Sequence, residues 1–431
     1  MRLKKAVRII SILLTTIFLF FICQDSLFAK EEIFGEKKKG TESAFQKIFK
    51  VFTGVPAANR NVIGCILPFS GKYAFYGQRI LHGIELSVDE FNSKTFFPPI
   101  KLEIKDSKND PHIAAMAVKD LVYNKGVIAI IGPLLGSTAK AAAGEADKLR
   151  VPIITLTQSE GITQIGKYVF RNFLTPSLQM NALAAYSTEN LELRRFAILH
   201  PENSYGRKFV SLFCNEVIIR GGEVTSILAY DKDQTDFGDV IKEMVKLPPF
   251  DEKREELGGE GEEIEEEEEK EPEPYIDFDA IFIPDSYKRV GLIAPQLAFY
   301  DVVEIYLLGT NLWNSPKLPE MAGNFLEKSI FVDGFFKESS LPVVKKFVTD
   351  FYIAFGEDPG ILEAHAYDIT TIIIHLLREK QVNSRRKLKE ELLRINDFPG
   401  VTGTTEFISS GEARKSLNIL TIKGKRIIEL P

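Results

Sequence analysis

From residue 61 onward, short apolar runs alternate with longer stretches whose apolar residues recur every three or four positions. "NVIGCIL" (61–67) predicts a buried strand, and "YGQRILHGIELSVDEFN" (76–92) sets Ile80, Leu81, Ile84, Leu86, Val88 and Phe91 at helical spacing. "IKLEIKD" (100–106) alternates as a strand should. "DPHIAAMAVKDLVYNKG" (110–126) opens with Asp110 as cap and Pro111 at the first helical position, and Gly126 stops it. "VIAIIGP", "GSTAKAAAGEADKLR" and "VPIITL" complete a β-α-β-α-β-α-β series. Such alternation forces parallel pairing, because each helix returns the chain to the same end of the sheet.

The rhythm restarts at "RRFAILHP" (194–201) and continues through "SYGRKFVSLFCNEVIIRGG", "EVTSILAY", "TDFGDVIKEMVKL", "FDAIFIPD" (278–285), "YKRVGLIAPQLAFY" and "VVEIYLLGT". A second α/β unit is therefore expected. Two strongly amphipathic helices follow, "PVVKKFVTDFYIAFG" and "ILEAHAYDITTIIIHLLREK". The last thirty or so residues predict a strand pair turning at "SSGEAR".

Composition alters this picture in two places. Residues 251–274 hold fourteen acids and three bases, so the formal charge of -6 hides a remainder of +5. That remainder is too near neutral and too dispersed for a nucleic-acid binder. The acidic run itself reads as a disordered surface insertion. It lacks the turn glycine and ligand spacing of a calcium loop. At the N-terminus, Arg2, Lys4, Lys5 and Arg8 precede an apolar run from Ile9 to Ile22. This predicts an export signal with cleavage after Ala29 and a periplasmic destination. An uncleaved anchor, or lipidation at Cys23, is the alternative. Residues 30–60 read as a linker. Cys65 and Cys214 are expected as small buried residues, and the five histidines as surface or packing groups without metal-type spacing.

Candidate chemistry gathers where strands end. "IAIIGPLLGSTAKAAAGEADKLRVPIITLTQ" carries a turn into a helix N-terminus, which favours an anion. It is no phosphate loop: Gly132 and Gly136 are one residue too close, and Ser137 stands where the lysine belongs. No G-x-S-x-G elbow or dinucleotide fingerprint occurs, so an enzyme, a cofactor or a catalytic metal is not expected. In open α/β sheets, ligands sit outside the carboxyl ends of strands. "PFSGKYAFYG", "TLTQSEG", "PENSYG" and "GTNLWNSP" fall at such ends beside the opening turn. Five polar loops at equivalent ends of two units predict one shared cleft.

These segments, in this order, resemble the type I periplasmic solute-binding proteins, in their leucine/isoleucine/valine-binding branch. "IGCILPFSGKYAFYGQRILHGIELSVDEFN", "IIGPLLGSTAKAA", "VPIITLTQSEGIT", "YVFRNFLTPSLQ" and "ILHPENSYGRKF" carry the likeness, which covers roughly residues 61 to 430. The resemblance implies an α/β fold of two Rossmann-like lobes with parallel sheets, joined by a three-strand hinge. Lobe one would take 61–172 and 335–396, and lobe two 173–334 and 397–431, with the acidic insertion at 250–275. Crossovers would fall near 170–176, 331–340 and 396–403.

The resemblance also implies a small carboxylate-bearing, amino-acid-like ligand, delivered to a membrane transporter permease. Ser137 and Thr138 match the hydroxyls that hold the ligand carboxylate. Ser159 matches a second-loop hydroxyl, and Thr157 the position that offers its backbone carbonyl. Tyr205 matches the second lobe's aromatic, and Tyr73 belongs to the aromatic loop. Asn311 stands where amino-acid binders place a glutamate against the ammonium, and Ser286 where they have a tyrosine. An ammonium buried without counter-charge is costly. "DAIFIPDSYKRVGLIAPQLAFYDV" is closer to the penicillin-binding-protein activators, which use the same lobes to touch a cell-wall synthase. An envelope regulatory module is therefore the alternative.

Overall fold

The computed structural model describes residues 54–94, 96–247 and 273–431. The chain divides after Val55, and the account below concerns Pro56–Pro431. The expectations for the export signal, Cys23, most of the 30–60 segment and the acidic insertion through residue 272 lie outside the described residues.

The first series becomes β1 (Asn59–Leu67), α1 (Ala74–Lys94), β2 (Lys101–Asp106), α2 (Pro111–Tyr123), β3 (Val127–Ile131), α3 (Gly136–Lys148), β4 (Ile153–Thr155) and β5 (Val169–Arg171). These strands pair in parallel in the order β2-β1-β3-β4-β5. Asp110 caps α2 by accepting from the Ile113 N–H at 2.9 Å. Successive β1 residues point to opposite faces: Val62 and Ile66 pack under α2 and α3, while Ile63, Cys65 and Leu67 face α1. Both faces are covered, which is why the strand reads as a continuous apolar run. Cys65 is buried, whereas Cys214 is only partly so.

The second series gives α4 (Pro176–Ala185), β6 (Arg195–Pro201), α5 (Ser204–Ile219), β7 (Glu223–Tyr230), α6 (Gly238–Met244), β8 (Ala280–Phe282), α7 (Tyr287–Phe299), β9 (Tyr306–Gly309), α8 (Lys317–Ala322) and β10 (Ser329–Asp333). The chain then returns to lobe one as α9 (Pro342–Phe355), α10 (Ile361–Leu377) and α11 (Arg385–Leu392). It ends in β11 (Phe398–Gly400), β12 (Gly403–Phe407), β13 (Ala413–Lys415), β14 (Asn418–Lys423) and β15 (Arg426–Glu429). The second sheet runs β15-β14-β10-β9-β8-β6-β7. Its parallel part, β10 back to β7, repeats the strand order of the first sheet.

α10 lies across α1 on the outer face of lobe one. Gly83 makes the close approach possible: a Cβ there would sit 2.3 Å from the Glu363 carbonyl oxygen. Gly83→Ala should therefore cost about 1–3 kcal/mol, more than the ~1 kcal/mol alanine gains inside a helix. A lowered urea midpoint at unchanged slope checks this.

Three passages join the lobes. The first two, between β5 and α4 and between β10 and α9, occupy 172–175 and 334–341. The third departs from expectation. Residues 398–415 stay with lobe one, so the passage falls at 416–417, between β13 and β14, and not near 396–403. The Phe407 ring packs edge-on against Phe170 of β5 at 5.4 Å. The Arg171 N–H donates to the Gly411 carbonyl at 3.0 Å. The expected terminal strand pair is thus two hairpins: β12–β13 around "SSGEAR" on lobe one, and β14–β15 on the edge of lobe two.

The passages are tied together by buried polar groups. His365 of α10 is fully buried, and its Nε2 accepts from the Leu174 N–H at 3.2 Å. Burial, aided by the Lys415 charge, holds this imidazole well below its ordinary pKa, so it stays neutral and keeps the acceptor. Lys415 donates to Asn172 on the first passage and to the Thr405 hydroxyl.

Candidate functional site

The carboxyl ends of both sheets supply the groups singled out in the sequence. On lobe one, α3 begins at Gly136 directly over the loop that follows β4. A Cβ on Gly136 would lie 3.2 Å from the Ser159 Cβ and 4.0 Å from the Thr157 hydroxyl oxygen. The Thr157 hydroxyl accepts from the Ser159 N–H at 3.2 Å, which shapes this turn. Arg171, itself buried, donates to the Ser159 carbonyl and to the Glu412 carboxylate, each at 2.6 Å. The loop holding Ser159 is therefore anchored to the end of β5, next to the first passage between the lobes.

Ser137 is exposed at the first turn of α3. Thr138 is 1% exposed, and its hydroxyl donates to the Leu135 carbonyl at 2.8 Å, which closes the helix end. Tyr73 is half-buried in the turn after β1, with the Lys72 ammonium 4.8 Å from its ring centre.

On lobe two, Asn203 caps α5 by accepting from the Gly206 N–H at 2.8 Å. This sets Tyr205 against the end of β9, where its hydroxyl meets the Thr310 hydroxyl at 3.0 Å. Burial pushes the Tyr205 phenol up to about 12, the Thr310 bond opposes it, and Asp285 adds to the rise. Ser286 stands just before α7 at its N-cap, and its N–H donates to Asp285 at 2.5 Å. Asp285 also accepts from the Tyr230 hydroxyl at 2.8 Å.

The lobes meet across this face. Lys208 of α5 and Glu160, beside Ser159, form an ion pair at 2.8 Å with both side chains about half exposed. Exposed pairs contribute about 0.2–1 kcal/mol. Lys208→Ala should therefore open the two lobes only slightly, and the effect should vanish at high salt. Small-angle scattering at low and high ionic strength would register it.

Beside the passages lies a cavity of about 800 Å³ lined by both lobes. Asn311, Asn314 and Asp333 come from the ends of β9 and β10, Phe335 from the second passage, and Gly360 and Ile361 from the start of α10. Its mouth carries the exposed Lys337, Glu338, Lys425 and Arg426. The volume suits a small molecule. Of the sequence candidates, Asn311 lines this space, and Ser137, Thr138, Thr157, Ser159, Tyr205, Ser286 and Tyr73 do not. The structure thus brings Ser159 and Thr157 together under the start of α3, and sets Tyr205 near Ser286 through Asp285. It gives Asn311 a different neighbourhood. A smaller hollow of about 300 Å³ near Glu90, Tyr367 and Arg378 is lined by lobe one alone.

Asp333 is the residue the sequence pattern missed. It is 6% exposed. One carboxylate oxygen accepts from the Asn314 amide at 2.8 Å and the other from the Gly334 N–H at 2.6 Å. Burial pushes this carboxyl up to about 7, against bonds from Asn314, Gly334 and Phe335. The signal was present in "SIFVDGFF": an apolar run ending in an acid before glycine, at a strand's carboxyl end.

A family model described as periplasmic binding protein matches residues 62–248. Residues 62–248 are thus similar to periplasmic binding proteins, and the fold is that of the type I periplasmic binding proteins. One curated relative, the Leu/Ile/Val-binding protein BraC3 of Rhizobium johnstonii, is 25% identical over 40% of this chain and 48% of its own length. The chain thus spans about half, or less, of the curated relatives it matches. Among solved structures, a putative branched-chain amino acid ABC transporter from Rhodospirillum rubrum superposes with a TM-score of 0.72 at 22% identity, covering 86% of this chain and 99% of that one. The substrate-binding protein LivJ of Streptococcus pneumoniae, in complex with isoleucine, gives 0.56 at 22% identity over 86% and 99%. Both share the two-lobed fold. No described helix of the chain is long and apolar enough to cross a membrane.

Proposed function

We propose that the chain is an extracytoplasmic solute-binding protein that closes around a small carboxylate-bearing, amino-acid-like ligand and presents it to an ABC-type transporter permease. The observation that carries this is the cavity lined by both lobes at the second passage; elsewhere the Glu160–Lys208 pair also joins the lobes. A ligand that touches both lobes stabilises the closed state over the open one, and differential contact is what drives hinge closure. Outside that cavity, the N-terminus of α3 with Ser137 and Ser159 offers free N–H groups and a helix dipole that favour an anion. The names of the relatives, which bind leucine, isoleucine and valine or hold isoleucine, support an amino-acid-like ligand.

Calorimetry of the chain without its first 29 residues, against amino acids and small carboxylates, tests this reading. Binding of at least one of them is expected. A folded protein that gives no heat with any of them would overturn the proposal. The regulatory alternative would then gain, and recovery of a cell-wall synthase in place of a permease in a pull-down would support it.

A further inference from the structure

We propose that Asp333 is the anionic subsite of the inter-lobe cavity and takes the ammonium group of the ligand. This rests on the solute-binding reading above and adds to it which residue answers the ligand's positive charge. Asn311 supplies no charge at the position where a glutamate was expected, so an amino-acid-like ligand needs its counter-charge elsewhere. Asp333 lines the same cavity as Asn311.

The surroundings of Asp333 are those of a carboxylate waiting for a cation. Its hydrogen-bond donors are all neutral: the Asn314 amide and the N–H groups of Gly334 and Phe335. Among the described residues no lysine, arginine or histidine lies within ion-pair distance of it. Lys337 at the mouth is instead engaged by Asp358 at 2.8 Å and by Glu338. A buried carboxylate without a cationic partner is destabilising, and packing alone gives no reason for an acid on this wall. The donors also fix its orientation. Asn314 is held by two bonds from one nitrogen, to Asp333 at 2.8 Å and to the Phe335 carbonyl at 3.3 Å, which leaves its side-chain oxygen uncommitted. An ammonium has three N–H groups to satisfy. The carboxylate of Asp333 with the amide oxygens of Asn314 and Asn311 provides three acceptors on one wall. Phe335 beside them supplies an apolar surface for a short side chain.

Asp285 is the competing acid, and the geometry disfavours it. It is occupied by the Tyr230 hydroxyl and the Ser286 N–H and does not line the cavity.

The test uses the proteinogenic L-amino acids as probes, each beside the carboxylate that lacks its α-amino group, for example L-leucine and 4-methylpentanoate. Calorimetry is run on the wild type and on Asp333→Asn, with thermal unfolding to establish that the variant is folded. At least one amino acid should bind more tightly than its deamino partner, and Asp333→Asn should reduce that preference about thirtyfold or more, as losing one partner of a buried charge pair does. Below about pH 7 the wild-type affinity for the amino acid should fall about tenfold per pH unit, because the ammonium needs the ionised acid. An amino acid that binds a folded Asp333→Asn as well as the wild type overturns the assignment and leaves the solute-binding reading standing. So does a deamino carboxylate that binds as tightly as its parent. A folded wild type that binds neither kind of probe overturns both.

Discussion

Asp368→Ala is expected to lower the unfolding free energy by about 3–5 kcal/mol, the cost of leaving a buried charge without its partner. Asp368 sits in α10 and is 2% exposed. It accepts from the Val401 and Thr402 N–H groups, each at 2.8 Å, and from the Thr402 hydroxyl. The nearby Lys415 is 8% exposed. Burial lowers the Lys415 ammonium to about 8 and raises the Asp368 carboxyl, and each charge partly offsets the effect of burial on the other. Alanine at 368 would orphan two amide donors and strand the ammonium. Burial would then hold Lys415 neutral at a lower pH, so the variant's stability should rise as the pH climbs toward the free lysine range. Urea unfolding with an unchanged slope measures the loss. Lys415→Met added to Asp368→Asn should recover much of it, since a buried pair replaced by uncharged groups is often neutral. A loss under about 1 kcal/mol for Asp368→Ala would place these charges in water and refute their buried coupling.

That cluster also explains what the sequence could and could not disclose. The two α/β series were legible because each strand and helix carries its own periodicity. Asp110 with Pro111, or the apolar run at 61–67, needs no distant partner to be recognised. The third passage was not legible. β11 and β13 are three residues each, β11 contains Pro399 and Gly400, and neither is long enough to show a period. Their place is decided by tertiary partners: Phe407 on Phe170, the Gly411 carbonyl at Arg171, Lys415 near Asp368. None of these contacts leaves a local pattern. The candidate site was half legible for a similar reason. Ser137 and Thr138 are adjacent hydroxyls at one helix start, and only the fold reveals that Thr138 turns inward to Leu135. Asn311 drew attention as a lost acid, while the acid on the same wall comes from the neighbouring strand, 22 residues later.

Asp333→Asn should stabilise the unliganded protein at about pH 8 and leave it little changed at about pH 4. The free carboxyl titrates near 3.9 in an unfolded chain, whereas burial in the cavity wall pushes Asp333 up to about 7. Between those values the native state binds a proton that the unfolded state has released, so this group's contribution to stability is present at low pH and is lost as the pH rises through about 7. The difference corresponds to about 4 kcal/mol at most. Asparagine cannot repeat every bond, because its nitrogen would face the Asn314 donor, so a gain of roughly 1–3 kcal/mol is the realistic expectation. Thermal unfolding of wild type and variant across the pH range would show the curves diverging upward from about pH 5. Parallel curves would mean that Asp333 is solvated and pays no burial penalty. Divergence would mean that the fold carries a destabilising acid on the cavity wall. A cation bound there would relieve that burden, so an amine-bearing ligand should stabilise the wild type more than the variant and reverse their order. A site that costs stability when empty and gains it back when filled is what a hinged receptor requires, because the same charge that strains the free protein then favours closure around the ligand.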